Sequence, residues 1–184
     1  MDPRERILST AVRLFFAQGY AQTGINQLID ESGLARRTFY HHFESKEALG
    51  AAYLDFAAGQ WLANLGAAFD GRRTARSAVT SLFEVLESFA LETRFRGCGL
   101  LNMAAEFADA GSEMRARVQR YKDAQRKLLR EKFRDLGAAP TYADQVHLLL
   151  EGAIAGASAH LDVWPLRTAR TAALALLPEE ESRR

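Results

Sequence analysis

Apolar residues recur at intervals of three and four along almost the whole chain, and no stretch alternates as a half-buried strand does. That period predicts an all-α protein and excludes a sheet-based one. Ile7, Leu8, Ala11, Leu14 and Phe15 mark the buried face of a first helix, with Pro3 at a tolerated first-turn position and Gly19 as its stop. Ile25, Leu28 and Ile29 mark a short second helix that ends near Ser32-Gly33. A third runs from about Ala35 to His42, and "ESKEAL" opens a fourth with Ser45 as a suitable N-cap. Tyr53, Phe56, Trp61, Leu65 and Phe69 then form an aromatic stripe, which "DGRRT" at 70–74 interrupts. Further helical segments span 75–95, 100–110, 112–136, 140–163 and 166–177, separated by Gly97 and Gly99, Gly111, Gly137 with Pro140, and Pro165. About nine helices follow, arranged as a small N-terminal three-helix unit over 1–48 and a larger helical bundle over 49–184. The tail "EEESRR" reads as frayed and solvated.

Of 184 residues, 48% are hydrophobic and 26% charged, and the net charge is +1, so bulk charge selects no polyanionic partner. Any nucleic-acid site must come from local clustering. The single cysteine, Cys98, excludes an intramolecular disulfide and suits a reducing compartment. "MDPRERILSTAVRLFF" carries charges where a signal peptide needs an apolar run, and no stretch reaches membrane-spanning length. The expected location is the cytoplasm, with no membrane partner.

Residues 34–49, "LARRTFYHHFESKEAL", mix aromatic and cationic groups within about three helical turns. On a helix Phe39 and Phe43 share one face, directed into a small core, which leaves Arg36, Arg37, Tyr40 and His41 on the outer side. Two short helices joined by a glycine-containing turn make a helix-turn-helix, whose second helix enters the major groove of DNA. Arginine can bond guanine O6 and N7 in a fork and a threonine methyl can meet a thymine methyl, whereas Tyr, His and Lys suit phosphates. On spacing alone, an ordinary surface helix with solvated charges is the alternative.

"INQLIDESGLARRTFYHHFESKEAL" resembles the DNA-binding segment of TetR-family transcriptional regulators, and the match extends over residues 5–50. Gly19-Tyr20, Gly33, Thr38-Phe39-Tyr40, Phe43, Lys46 and Leu49 carry it. The resemblance implies that Thr38, Tyr40, His42 and Lys46 occupy DNA-contacting positions, Tyr40 and Lys46 chiefly at phosphates. Arg36 and Arg37 then stand at the variable start of the recognition helix, and Thr23 and Asn26 at the front of the second helix, near phosphate. Gly24 departs from the Thr or Ser common in relatives, so a hydroxyl contact is missing there. The resemblance further implies a homodimer on double-stranded DNA, most often a repressor, that answers a small molecule held in the C-terminal bundle.

In that bundle the 140–163 helix has two apolar faces. Val146, Leu149, Leu150, Ala153, Ile154, Ala157 and Leu161 form one; Leu148, Gly152, Ala155, Gly156 and Ala159 form the other, rich in small residues. Such a helix is central either to a monomeric bundle or, with 166–177, to a two-fold four-helix interface, which the resemblance favours. Phe83, Leu86 and Phe89 are expected beside Tyr121 and Gln125 in the interior, and a cavity among them would suit a hydrophobic effector. The stretch 112–135 holds nine Lys or Arg against four Asp or Glu, but Met114, Val118, Tyr121, Leu128, Leu129 and Phe133 define its buried stripe, so the charges form a solvated face. Cys98 lies between two glycines at a helix start, with Arg94 and Arg96 nearby and Asn102 on the same face. This Gly-Cys pair with its later Asn is similar to a family branch that senses electrophiles or oxidants, so a thiol-sensing repressor is an alternative; a small buried cysteine is the plain reading.

An enzyme would need Cys98 with His147 or His160 as base. Those histidines are thirteen residues apart on one helix and point to nearly opposite faces. His41 and His42 are adjacent and lack metal-ligand spacing. No catalytic residue, metal or cofactor is expected, and a helical interaction module without DNA binding is the remaining non-enzymatic alternative.

Overall fold

Asp2 and Glu5 begin the fold by satisfying each other's backbone: Glu5 N–H donates to Asp2 Oδ1 at 2.9 Å and Asp2 N–H to Glu5 Oε2 at 3.0 Å. With Pro3 in its first turn this capping box starts α1 (Pro3–Gln18), which stops at Gly19 with φ 95°. The computed structural model describes residues 1–178, so "EEESRR" lies outside the described residues. Among the described residues there are nine α-helices and no strand. After α1 come α2 (Ile25–Ser32), α3 (Arg36–His42), α4 (Lys46–Ala67), α5 (Ala75–Glu92), α6 (Gly99–Ala105), α7 (Glu113–Asp135), α8 (Pro140–His160) and α9 (Trp164–Ala175). None of these helices is long and apolar enough to cross a membrane.

The chain forms two compact units, Met1–Gln60 with Cys98–Tyr121, and Trp61–Gly97 with Lys122 onward. It passes between them within α4, at Gly97–Cys98, and within α7. This packing division differs from a cut after residue 48, because α6 and the first turns of α7 share a core with α1 to α4. In that first unit Ile7, Ala11, Leu28, Phe39, Leu49 and Leu54 are buried together with Leu100, Met103, Met114 and Val118.

The second unit packs α5, α8 and α9 with the ends of α4 and α7 around Leu82, Phe83, Leu86, Leu129, Phe133, Val146 and Leu150. Phe133 meets Phe69 and Tyr142 edge-on, at 4.9 and 5.2 Å between ring centres. Tyr142 donates to the Ala173 carbonyl at 3.1 Å, and burial pushes its hydroxyl up to about 12. The basic residues of α7 are partly paired: Arg126 and Arg130 converge on Asp144 at 2.8 and 2.9 Å, and their hydrogen bonds, Arg126's foremost, hold its carboxyl down to about 2.

Two boundaries and two residue placements differ from the sequence pattern. α6 ends at Ala105 rather than 110, where Asp109 accepts from Gly111 N–H at 2.8 Å and turns the chain. Pro165 does not break α9 but lies in its first turn. Gly156 belongs less to an outer small-residue face than to the α8–α9 contact, since a Cβ there would meet Pro165 at 3.0 Å. Phe56, expected in the aromatic stripe of α4, is 43% exposed.

After α5 the backbone is forced. Arg94 and Phe95 have φ of 51° and 60°, a left-handed conformation that costs a residue with a Cβ about 1–2 kcal/mol. Phe95 is repaid by packing on the second core and by its N–H bond to Ala90 O at 2.7 Å, whereas Arg94 is exposed. Arg94→Gly therefore removes strain without removing packing. We expect a gain of about 1 kcal/mol, seen as a melting midpoint roughly 2–4 °C higher; a lower midpoint would show that the turn is not strained.

Candidate nucleic-acid interface

A seven-residue helix is too short to hold itself in water, so α3 exists only because Phe39 and Phe43 anchor it. Phe39 has no exposed surface and Phe43 has 4%, and Arg4 lies over the Phe43 ring at 5.2 Å. Anchoring that face turns Arg36, Arg37, Tyr40 and His41 to solvent, with Thr38 and His42 half-buried at its edges. The Tyr40 ring packs edge-on against Phe39 with 5.5 Å between centres, which fixes its base. The two histidine rings meet edge to face with 5.1 Å between centres, and no His, Cys, Asp and Glu grouping among the described residues could hold a metal ion.

The two arginines are not equivalent. Arg36 Nη2 donates to Asn26 Oδ1 at 2.6 Å, which ties the start of α3 to the front of α2. Arg37 has no hydrogen bond or ion pair among the described residues and is the guanidinium left to reach outward. Neither α2 nor α3 has a side-chain N-cap, at Gly24 or Ala35, so their first-turn N–H groups are open to solvent or to a phosphate.

Thr23 corrects an expectation. It is fully buried: its hydroxyl donates to Gly19 O at 2.7 Å and accepts from Gln18 Nε2 at 3.2 Å. The side chain locks the connector before α2 rather than meeting phosphate. Gln18 continues to Gln27 (2.9 Å), Gln27 to Glu31 (2.8 Å), and Glu31 to Arg13 (2.5 Å), a polar rail between α1 and α2 in which Arg13 holds the Glu31 carboxyl below its usual range.

Lys46, at the first turn of α4, is half-buried, its ammonium 4.2 Å from the centre of the Tyr20 ring. Burial pulls its pKa down, and the nearby Glu106 carboxylate opposes that shift. Glu106 is the residue that pattern reading missed. It follows α6, yet accepts from Tyr20 N–H at 2.9 Å and Ala21 N–H at 2.5 Å, closing the connector between α1 and α2. Its place on one polar face with Cys98 and Asn102 was the available signal, but nothing in the pattern names a partner 85 residues away.

The candidate effector residues divide between the units. Phe83 and Leu86 are fully buried in the second core, and Phe89 stands at its edge, 5.1 Å from the Trp61 ring. Gln125 is buried too, accepting from Trp61 Nε1 at 3.0 Å and donating to Glu151 Oε1 at 2.8 Å, with His147 Nδ1 at 3.3 Å. Burial lowers the pKa of His147. Tyr121, expected beside these, instead packs on the first core and donates to Asp55. Cys98, half-buried at the N-cap of α6, and Asn102, exposed, also belong to the first unit. The small cavity beside Leu86, Phe89 and Phe95 measures about 10 Å³, no more than one water.

A profile described as "Bacterial regulatory proteins, tetR family" matches residues 7–53. The chain is similar to the HTH-type transcriptional repressor NemR of Escherichia coli K12, with 29% identity over 123 residues covering 65% of this chain and 61% of NemR. The match thus spans about three fifths of that relative's length. A shorter match, 57% identical over 42 residues, links it to the HTH-type transcriptional regulator LmrA of Bacillus subtilis strain 168 and covers 23% of this chain and 22% of LmrA. The crystal structure of reduced E. coli NemR has the same fold, with a TM-score of 0.83 at 23% identity over 96% of this chain and 98% of that one. A tetR transcriptional regulator of Streptomyces avermitilis MA-4680 aligns at 30% identity and a TM-score of 0.75, covering 94% of this chain and 98% of its own.

The Glu106 carboxylate gives a local test. In Glu106→Ala the Tyr20 and Ala21 amides lose a charged acceptor, and their hydrogen exchange should speed up by on the order of tenfold. Glu106→Gln should recover part of the protection. Unchanged exchange at both amides would mean that the carboxylate does not hold the connector.

Proposed function

Because the chain belongs to the TetR family of bacterial transcriptional regulators, we propose that it is a dimeric repressor that binds a palindromic operator and releases it when a small molecule binds. In this reading residues 1–48 form the DNA-binding domain and 49–184 the effector and dimerisation domain. The observation that carries it is the two-sided α3, with Phe39 and Phe43 in the core and Arg37, Tyr40 and His41 outside. Arg37 is the candidate base reader, with Arg36 second because Asn26 already holds it; Tyr40, His42 and Lys46 position the helix on phosphates, with Thr38 at the same face and Asn26 at the front of α2.

Dimerisation is supported by the outer surface of α8 and α9. Leu148 is 70%, Trp164 50% and Leu176 46% exposed, and they border two shallow grooves with Gly152, Thr168 and Ala172. Large apolar side chains grouped at such exposure mark an association face, and a second copy meeting it about a two-fold axis gives an isologous contact. Two recognition helices on such a dimer fit one DNA face when their separation matches a helical turn, about 34–36 Å. The effector, by this reading, binds the second unit and favours a conformation with another spacing. Linkage then requires operator DNA to weaken effector binding by the same factor.

Electrophoretic shift assays with single variants test the DNA side. Arg37→Ala should cost about 1–3 kcal/mol at one base position and relax preference there. Lys46→Ala and Tyr40→Phe should weaken all sequences alike and lower the salt slope by roughly one. An identical selected consensus for Arg37→Ala and the unmodified chain would remove Arg37 as the reader. No shift with any DNA would leave the helical interaction module.

Leu148→Glu places a charge at the centre of the α8–α9 face. Light scattering after size exclusion should then report monomers where the unmodified chain gives dimers, with the helical circular dichroism retained. A variant that stays dimeric would place the interface elsewhere.

A further inference from the structure

We propose that the groove between the end of α4 and the outer face of α5 binds a lipophilic organic cation bearing aromatic rings. The binding stands by itself; its regulatory meaning rests on the effector-responsive reading above.

The groove encloses about 300 Å³, the lower end of the range for drug-sized ligands. Trp61 and Phe89 form an aromatic corner, their ring centres 5.1 Å apart and their planes tilted by 54°. The corner is set in advance, because the indole N–H is spent inward on Gln125, which is 1% exposed and itself bonded to Glu151. The ring body is therefore a wall of the groove and its polar edge is not. Along α5, Glu84, Ser88 and Glu92 follow at intervals of four and line the same side. Neither Glu84 nor Glu92 has a hydrogen bond or ion pair among the described residues. Arg72 reaches the lining only at Ser81, by a 3.1 Å hydrogen bond, one turn of α5 before Glu84 and three turns from Glu92.

This chemistry discriminates between ligand classes. A neutral apolar molecule would cover two carboxylates without replacing their water, an uncompensated cost. An anion would be repelled. A small metal ion gains nothing from the rings and cannot be chelated by carboxylates that lie about 12 Å apart along the helix axis. A large delocalised cation is weakly hydrated, stacks on Trp61 and Phe89 through cation–π attraction, and neutralises the carboxylates at either end.

The test is isothermal titration calorimetry of the full chain, without DNA, with tetraphenylphosphonium and with tetraphenylborate, ions of the same shape and opposite charge. The expected result is saturable binding of the phosphonium at least tenfold tighter than of the borate, and weaker at higher salt. Glu84→Gln with Glu92→Gln should lower phosphonium affinity about tenfold, or 1.4 kcal/mol. Should that double variant fail to fold, the ion pair and the salt dependence on the unmodified chain decide the matter alone. Absent phosphonium binding, equal affinity for both ions, or a folded double variant with unchanged affinity would each overturn the proposal. A chain that binds the phosphonium but does not bind or release DNA would overturn the regulator reading and leave the site intact.

Discussion

Everything on the outer side of the first unit depends on the burial of one aromatic ring. Phe39 sits in the middle of a seven-residue helix and has no exposed surface. Fixing the backbone of such a helix costs about 1–2 kcal/mol per residue, and its few internal hydrogen bonds do not offset that. Burial of Phe39 and Phe43 against Ile7, Ala11 and Leu28 supplies what is missing, at about 1.5–3 kcal/mol per large side chain. The same burial sets the rotation of α3 about its axis, and so decides that Arg37 and not Thr38 is the freer side chain.

Around that anchor, polar groups hold the connectors that apolar packing cannot grip. Arg6 donates to the Ser32 carbonyl at 2.8 Å, at the end of α2 where Gly33 turns left-handed. Thr23 and Gln18 secure the residues before α2, and Glu106 secures those directly after α1. Each of these bonds is local or satisfies a backbone N–H or carbonyl that a turn leaves open. The turn geometry is thus overdetermined while the outward-facing side chains of α3 keep their freedom, the division of labour a pre-organised recognition surface requires.

The helical period made the architecture legible, because burial of one face leaves a three-four rhythm whatever the partner. The two-sided character of residues 34–49 was legible for the same reason: the Phe39 and Phe43 spacing dictates what remains outside. What pattern could not reveal was any property set by a distant partner. Thr23 looked like a phosphate contact because its type and place fit one, but a side chain that bonds the carbonyl four residues back is turned inward. Tyr121 carried the right period for the bundle interior, yet α7 serves two cores in succession and Tyr121 falls on the first. Gly156 read as one more small residue on an open face, whereas the approach of Pro165 explains its lack of a side chain.

The near-zero net charge poses a physical question for a chain proposed to bind DNA, and the arrangement of ion pairs answers it. At physiological salt a charge is felt over about 8 Å, so a phosphate responds to the groups beside it rather than to the sum over the chain. In the first unit several carboxylates are occupied elsewhere: Glu5 in the α1 capping box, Glu31 by Arg13 and Gln27, Glu106 by two backbone amides, and Asp55 by Arg117 at 2.7 Å. Arg37 has no such counter-charge, and the outer positions of α3 from Arg36 to His42 contain no acidic residue at all. A neutral chain can therefore present a cationic helix. With few arginines and lysines to release counterions, such a surface depends more on directed contacts and less on bulk attraction than a strongly basic domain does.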